Sequence, residues 1–106
     1  MELSDYQYKA YGFAIYPREI NLAYPALGLA GEAGEVANKI KKVYRDNTTG
    51  HEIRHEIAKE LGDVLWYVAA VATEFGLELD SIAQANLDKL ESRRDRGVIG
   101  GSGDDR

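Results

Sequence analysis

The 106-residue sequence contains no cysteine and only two prolines, and its basic residues are outnumbered by acidic ones. The absence of cysteine excludes a disulfide framework, a thiolate zinc site and a cysteine nucleophile, and it suits a cytoplasmic protein. Thirteen Lys and Arg against eighteen Asp and Glu give a net charge of −5, which argues against binding to a nucleic-acid polymer. The longest nearly apolar run, Val64 to Thr73, is about half as long as a membrane span, and no signal segment opens the chain. We therefore expect one soluble cytoplasmic domain with no membrane partner.

Strong helix formers dominate the sequence after its first quarter, which holds both prolines. No alternating apolar run is long enough for a strand, so the pattern predicts an all-α fold of four helices. The predicted helices run from Ser4 to about Tyr16, from Pro25 to about Arg45, from about Glu52 to Phe75, and from Asp80 or Ser81 to about Arg94. Residues 1–96 would form a single helical domain, and residues 97–106 a Gly-rich tail.

The third predicted helix is apolar over most of its circumference. One stripe from Ile53 to Phe75 is apolar, and Leu65 and Trp66 lie outside that stripe. A helix of this kind needs partners on several sides, which three short helices in a small protomer do not supply. We therefore expect a homo-oligomer, either a homodimer or a homotetramer.

Two helices carry nearly duplicated acidic segments. Glu32-Ala33-Gly34-Glu35-Val36 on the second helix resembles Glu60-Leu61-Gly62-Asp63-Val64 on the third. Residues three apart share a helix face, and each acidic pair flanks its helix's apolar stripe on the same side. If the two helices pack as an antiparallel hairpin, the carboxylates converge beside the core. Like charges so close repel unless a cation lies between them, and oxygen-only ligands suit Mg²⁺ or Mn²⁺.

Either acidic pair alone would usually be a solvated helix face balanced by neighbouring lysines. The duplication and the helical glycines favour a functional interpretation. Gly28, Gly31, Gly34 and Gly62 each cost about 1 kcal/mol in a helix interior, so we expect them to serve close helix approach or a ligand.

The order Glu-x-x-Glu followed by Glu-x-x-Asp on two helices resembles the MazG-type nucleoside triphosphate pyrophosphohydrolases. These enzymes belong, together with the dimeric dUTPases, to the all-α NTP pyrophosphatase group. The resemblance extends from about Leu22 to Arg94, and the segment Ala85-Asn86-Leu87-Asp88-Lys89-Leu90 adds to it. It implies a four-helix MazG-like bundle. It also implies hydrolysis of a (deoxy)nucleoside triphosphate between its α and β phosphates, giving the monophosphate and pyrophosphate and so controlling the nucleotide pool.

The resemblance also assigns roles to residues. Glu32, Glu35, Glu60 and Asp63 would hold Mg²⁺, with Mn²⁺ as a possible substitute, and one carboxylate, with Glu35 as our candidate, would orient the attacking water. The resemblance makes Asn86 and Lys89 candidate substrate contacts, with plain surface or capping roles as the alternative, and position on the helices adds Lys39, Trp66 and Arg93. Of these, Lys39 follows Glu35 on the same stripe, Trp66 follows Asp63 by three positions, and Arg93 shares a stripe with Asn86 and Lys89. The alternative for Trp66 is a dimer interface, and that for Arg93 is interaction with the helix dipole.

Two other interpretations compete with this one. The segment His51-Glu52-Ile53-Arg54-His55 matches a zinc-metallopeptidase signature, but Glu74 and Glu78 lie too far along the same helix to complete a site, so exposed histidines are the expected outcome. The second is a non-catalytic helical oligomerisation module with solvated acidic faces. Only the enzyme requires the four carboxylates to converge within metal-bridging distance.

Overall fold

The computed structural model describes all 106 residues, which form four α-helices and no strand. The helices are α1 (Leu3–Tyr11), α2 (Ala23–Arg45), α3 (Arg54–Glu74) and α4 (Leu79–Asp95), and a short 3₁₀ helix covers Arg18–Ile20. The predicted all-α fold class is confirmed. None of these helices combines the length and the apolar character needed to cross a lipid bilayer.

The two long helices form close to where the sequence predicts them. Pro25 lies in the first turn of α2, where its missing N–H has no intrahelical acceptor to lose, and its side chain is fully buried. Helix α2 ends at Arg45, before the polar turn that begins at Asp46. Helix α3 ends at Glu74, and Gly76 follows it with a φ of 67°, the left-handed conformation that favours glycine after a helix.

Helix α1 is shorter than predicted, because it ends at Tyr11 and not near Tyr16. The amide of Gly12 donates to the carbonyl of Lys9 and that of Phe13 to the carbonyl of Ala10, both at 3.1 Å, so tight turns replace the α-helical pattern. Beyond this point Tyr16 is buried against aromatic side chains of α2 and α3. Tertiary packing thus overrides the helical tendency of this segment.

The start of α4 also differs from the prediction, since the helix begins at Leu79 and its cap position is Glu78, not Asp80 or Ser81. The amide of Leu79 donates to the side-chain oxygen of Gln7 on α1 at 2.9 Å. The Gln7 amide nitrogen in turn donates to the Leu77 carbonyl at 2.8 Å and to the Thr73 hydroxyl at 3.1 Å. A side chain from another helix therefore satisfies an N-terminal amide of α4.

Helices α2 and α3 pack against each other as an antiparallel hairpin. Gly28, near the start of α2, lies against Tyr67, whereas Lys39, farther along α2, reaches back to Glu60. Helix α1 packs on α3, and α4 packs mainly on α1. The small core lies between these helices and consists of Ala69, Ala72 and Leu79, with Tyr6 and Val68 packed against it.

A single protomer leaves much apolar surface uncovered. Its radius of gyration is 16.6 Å, whereas a compact domain of this length has about 13 Å. Large apolar side chains remain exposed on several elements, among them Phe13 (77%), Leu27 (72%), Phe75 (60%) and Leu61 (52%). The single chain therefore buries little of the apolar surface that its helices offer.

Candidate metal centre and adjoining cavity

The antiparallel packing of α2 on α3 brings acidic residues of both helices together. Glu32 projects from α2, and Glu60 and Asp63 project from α3; one carboxylate oxygen of each lies within 4.8 Å of those of the other two. Glu60 and Asp63 are three residues apart and so share a face of α3. Three of the four predicted metal ligands therefore converge, and we call these three residues the carboxylate cluster.

The cluster carries unbalanced negative charge. Burial raises the pKa of Glu32, and a hydrogen bond with Glu60 and the charges of Asp63, Glu60 and Glu35 raise it further. A carboxyl group in this position holds its proton more tightly because no positive group lies close enough to compensate fully. A divalent cation would reverse this effect, and a donor set made only of carboxylate oxygens fits Mg²⁺ or Mn²⁺.

Two predicted site residues of α2 lie at the edge of the cluster. Glu35 is exposed and does not belong to the group of three, although its charge acts on Glu32. Lys39 is half-buried, and its Nζ atom is 3.9 Å from Oε1 of Glu60. Lys39 therefore offsets part of the negative charge of the cluster.

A cavity of about 390 Å³ opens beside the cluster. Its lining residues come from the 3₁₀ helix, α2 and α3, and they are Ile20, Ala23, Tyr24, Leu27, Gly28 and Tyr67. Tyr67 connects the cavity to the cluster: burial raises the pKa of its phenol, and the nearby Tyr24, Glu32 and Asp63 raise it further. A mostly apolar cavity of this size beside charged groups is typical of small-molecule sites.

Gly28 explains one of the helical glycines. A Cβ atom at this position would overlap the ring of Tyr67, so only glycine allows the ring to lie flat against α2. Around Gly31, Gly34 and Gly62, by contrast, a Cβ atom would meet nothing within 4 Å. The expected close approach is therefore confirmed at Gly28, whereas the other three glycines face open space in the protomer.

Trp66 does not line the cavity, but it packs against Tyr67, which does. Its indole N–H donates to the carbonyl of Ala10 at 3.0 Å, which ties α1 to α3. Its ring makes edge contacts with Tyr67, at 5.1 Å between centroids, and with Tyr16, at 6.5 Å. Tyr16 in turn stacks on Tyr24 at 5.3 Å. These rings hold the two tyrosines that line the cavity.

A buried carboxylate that the sequence did not indicate holds this aromatic group in place. Glu74, whose side chain is only 6% exposed, accepts hydrogen bonds from the hydroxyls of Tyr11 and Tyr16, from the amide of Asn21 and from the guanidinium of Arg18. Burial raises the pKa of Glu74, but the hydrogen bonds outweigh that effect and lower it to about 2. For Tyr16, burial and then the bond to Glu74 raise the pKa to about 12.

The sequence contains a signal for the cavity residues but none for the role of Glu74. Gly28 lies one helical turn before Glu32, and Tyr67 lies one turn after Asp63, so helix periodicity already places both residues next to the acidic pairs. Apart from Tyr11, which ends α1, the donors to Glu74 come from the connection between α1 and α2, whose one regular element is the 3₁₀ helix, and no periodicity pairs this connection with the end of α3.

The remaining predicted substrate contacts lie on α4, away from the cluster. Asn86 is exposed, Lys89 pairs with Asp104 at 2.9 Å, and Arg93 is buried against the same aspartate. The ionic partners of Lys89 and Arg93 are thus in the tail, and the protomer does not bring them to the carboxylate cluster.

The zinc-peptidase signature does not form a site. His51 lies in the turn before α3, His55 lies in the first turn of that helix, and both are exposed. The expectation of two exposed histidines is confirmed.

Comparisons with known proteins agree with this geometry. The family described as the MazG nucleotide pyrophosphohydrolase domain matches residues 23–98. The chain is 47% identical to the "Gene 37 protein" of Mycobacterium phage L5 over the full length of both sequences. It is 31% identical to the "Uncharacterized protein YvdC" of Bacillus subtilis (strain 168) over 61% of this chain and 68% of that protein. No solved structure matches the chain significantly.

Proposed function

Because the chain belongs to the MazG nucleotide pyrophosphohydrolase family, we propose that it is a metal-dependent enzyme that hydrolyses a (deoxy)nucleoside triphosphate to the monophosphate and pyrophosphate. The observation that carries the proposal is the approach of Glu32, Glu60 and Asp63 to within 4.8 Å of one another. Such an activity would control the nucleotide pool, and the absence of cysteine fits a cytoplasmic location.

In this proposal Glu32, Glu60 and Asp63, with Glu35 beside them, hold Mg²⁺ or, in its place, Mn²⁺. The bound ion neutralises triphosphate oxygens and lowers the pKa of a water molecule. Glu35 orients the attacking water as a general base, since its carboxylate is exposed and close to Glu32 but is not one of the three converging groups. Lys39, whose Nζ atom lies near Glu60, contacts a phosphate group.

We assign the nucleobase to the cavity beside the cluster. Its volume of about 390 Å³ and its two tyrosines, Tyr24 and Tyr67, suit a planar aromatic ring. Trp66 acts by holding Tyr67 in position. The position of Tyr67 between the cavity and the cluster is consistent with a substrate whose base and phosphates occupy neighbouring sites.

The active form in this proposal is a homodimer or homotetramer. The extended protomer, with a radius of gyration of 16.6 Å, and its exposed apolar side chains support this assembly. Asn86, Lys89 and Arg93 would then reach the substrate from a neighbouring protomer, because α4 packs mainly on α1 within its own. Residues 1–96 act as the catalytic domain, and residues 97–106 form its Gly-rich tail.

The test is pyrophosphate release from a panel of (d)NTPs with Mg²⁺ or Mn²⁺. We expect monophosphate and pyrophosphate in equal amounts, and we expect both to disappear in Glu60→Gln and Glu35→Gln. The matched control is Glu56→Gln, which removes an exposed carboxylate one turn away on α3 and should retain activity. Release of orthophosphate, or equal losses in Glu56→Gln and Glu60→Gln, would contradict the proposal. Silence of the wild type across the panel would favour the non-catalytic module.

A further inference from the structure

The tail, residues 97–106, folds back on itself at the end of α4. The Arg106 guanidinium donates to the carbonyls of Val98 at 2.9 Å and Ile99 at 2.8 Å, and the carbonyl of Arg106 accepts from Arg96 at 2.8 Å. Gly97 and Gly103 adopt φ values of 74° and 89°, which allow the chain to reverse. This arrangement carries Asp104 onto the face of α4 that displays Lys89 and Arg93.

One oxygen atom of Asp104 lies between both cations. Its Oδ1 is 2.9 Å from Nζ of Lys89 and 3.2 Å from Nη2 of Arg93, and the same Nη2 atom also donates to the Asp104 carbonyl. Hydrogen bonds from Lys89 and then from Arg93 lower the pKa of Asp104, so this carboxylate is ionised at neutral pH. The two side chains, one turn apart on the helix, therefore share a point at which an anionic oxygen binds.

Arg93 is buried, which is unusual for an arginine. The residue is only 5% exposed, its protein hydrogen bonds all come from Nη2, and its buried Nε has no partner. A single carboxylate, whose own side chain is 81% exposed, is thus the sole anionic partner of a buried guanidinium. A guanidinium presents a fork of N–H donors that matches the oxygens of a phosphate group. The unpaired Nε is the donor that a larger anion would satisfy.

Lys89 and Arg93 are among the residues of α4 proposed above as substrate contacts, and we propose that Asp104 occupies their polyphosphate-binding site as an internal competitor. The inference rests on the proposed function for the role of Lys89 and Arg93 and for the identity of the ligand, since the substrate triphosphate and the product pyrophosphate carry the same phosphate chemistry. The tail must leave this site before a phosphate group enters, so Asp104 weakens binding of either ligand. The Asp104 side chain is 81% exposed and Lys89 is 38% exposed, so water screens the contacts of the tail, and the tail competes without closing the site permanently.

The experiment measures binding of inorganic pyrophosphate to the full chain by calorimetry, without divalent cations. We expect Asp104→Asn to tighten binding by roughly 3- to 10-fold, the effect of removing one competing carboxylate whose exposed side chain is screened by water. Asp105→Asn is the matched control, because it removes the same charge from the adjacent exposed residue, for which the structure shows no ion pair or side-chain hydrogen bond. Adding Lys89→Gln to Asp104→Asn should abolish the gain.

A second arm replaces pyrophosphate with a nucleoside triphosphate whose α–β bridge is an imido group and is not hydrolysed. A gain in Asp104→Asn with both ligands assigns the site to substrate and product, and a gain with the analogue alone assigns it to the substrate. Equal affinities of wild type, Asp104→Asn and Asp105→Asn for both ligands overturn the inference. Because neither arm requires turnover, a failure here is distinct from a failure of the proposed hydrolysis.

Discussion

Replacing Glu74 with glutamine tests whether one buried carboxylate holds the segment Gly12–Leu22 over the aromatic residues behind the cavity. The Glu74 carboxylate accepts hydrogen bonds from Tyr11 and Asn21 at 2.8 Å each, from Arg18 at 3.1 and 3.2 Å, and from Tyr16. All of these partners are donors. A glutamine amide keeps one acceptor oxygen but turns an NH₂ group toward donors, so at least one hydrogen bond is lost and one repulsive contact is created.

The magnitude follows from the charge and from the pKa. Hydrogen bonds to a charged group are worth roughly 1.5–3 kcal/mol, and a fall in pKa from 4.5 to about 2 corresponds to about 3 kcal/mol at most. Since the Arg18 side chain is 57% exposed, water screens part of this effect. We expect Glu74→Gln to lower the free energy of unfolding by about 2 kcal/mol at pH 7, or roughly 8–16 °C in Tm.

The pH dependence gives a second, independent signature. The pKa of Glu74 is lower in the folded state than in the unfolded state, so its stabilisation is complete above about pH 4.5 and is lost as the pH falls toward 2. The difference in stability between wild type and Glu74→Gln should therefore shrink as the pH falls through this window.

The assay is urea unfolding followed by circular dichroism at fixed protein concentration, at pH 7, 5 and 3.5. Glu19→Gln is the control, because Glu19 is an exposed carboxylate in the same segment, for which the structure shows no ion pair. A difference between wild type and Glu74→Gln that stays constant with pH would refute the reasoning. Equal effects of Glu19→Gln and Glu74→Gln would refute it as well.

Three further predictions concern other parts of the fold. Gly28→Ala should destabilise the protein by about 1–3 kcal/mol in thermal unfolding, because the added Cβ overlaps the ring of Tyr67. The control Gly34→Ala lies in open space on the same helix and should stabilise the protein by up to about 1 kcal/mol. A Gly34→Ala protein less stable than Gly28→Ala would contradict the structure. Glu60→Gln should raise the Tm of the metal-free protein, because it removes repulsion within the cluster. Mg²⁺ at ten times its Kd should stabilise the wild type by about 1.4 kcal/mol and should not stabilise Glu60→Gln. Equal stabilisation of both proteins by Mg²⁺ would exclude Glu60 as a ligand. Gln7→Ala should cost about 1–3 kcal/mol and accelerate hydrogen exchange at the first amide of α4, whereas unchanged exchange would show that its bond to Gln7 is dispensable.

The ends of α2 and α3 could be predicted, because residues next to them in the sequence determine where each helix stops. Helix α2 ends at Arg45 because a polar turn cluster follows, and α3 ends at Glu74 because Gly76 supplies a left-handed conformation. Helix α1 could not be predicted in the same way, because Tyr16 leaves the helix to pack against rings on α2 and α3, residues that are distant in sequence. The start of α4 was predicted wrongly for a similar reason, since the side chain that accepts from its first amide, Gln7, lies on α1.

For the candidate site, the residue types and their helix faces were readable from the sequence, and their distances were not. The spacing of Glu60 and Asp63 places both on one face of α3, but only the antiparallel packing on α2 brings Glu32 to within 4.8 Å of them. The same packing leaves Glu35 exposed, whereas Glu32 on the same helix joins the carboxylate cluster. Helix periodicity does not distinguish these two glutamates.

The sequence by itself determined the four helices, the family and the acidic faces, because helical periodicity, capping and turn chemistry act over a few neighbouring residues. Only the tertiary structure decided where the cavity opens, that Glu74 holds the segment before α2, and that Asp104 lies on Lys89 and Arg93. These arrangements join residues far apart in the chain, and their energies depend on burial and on the partners that each charge meets, which exist only once the helices have packed.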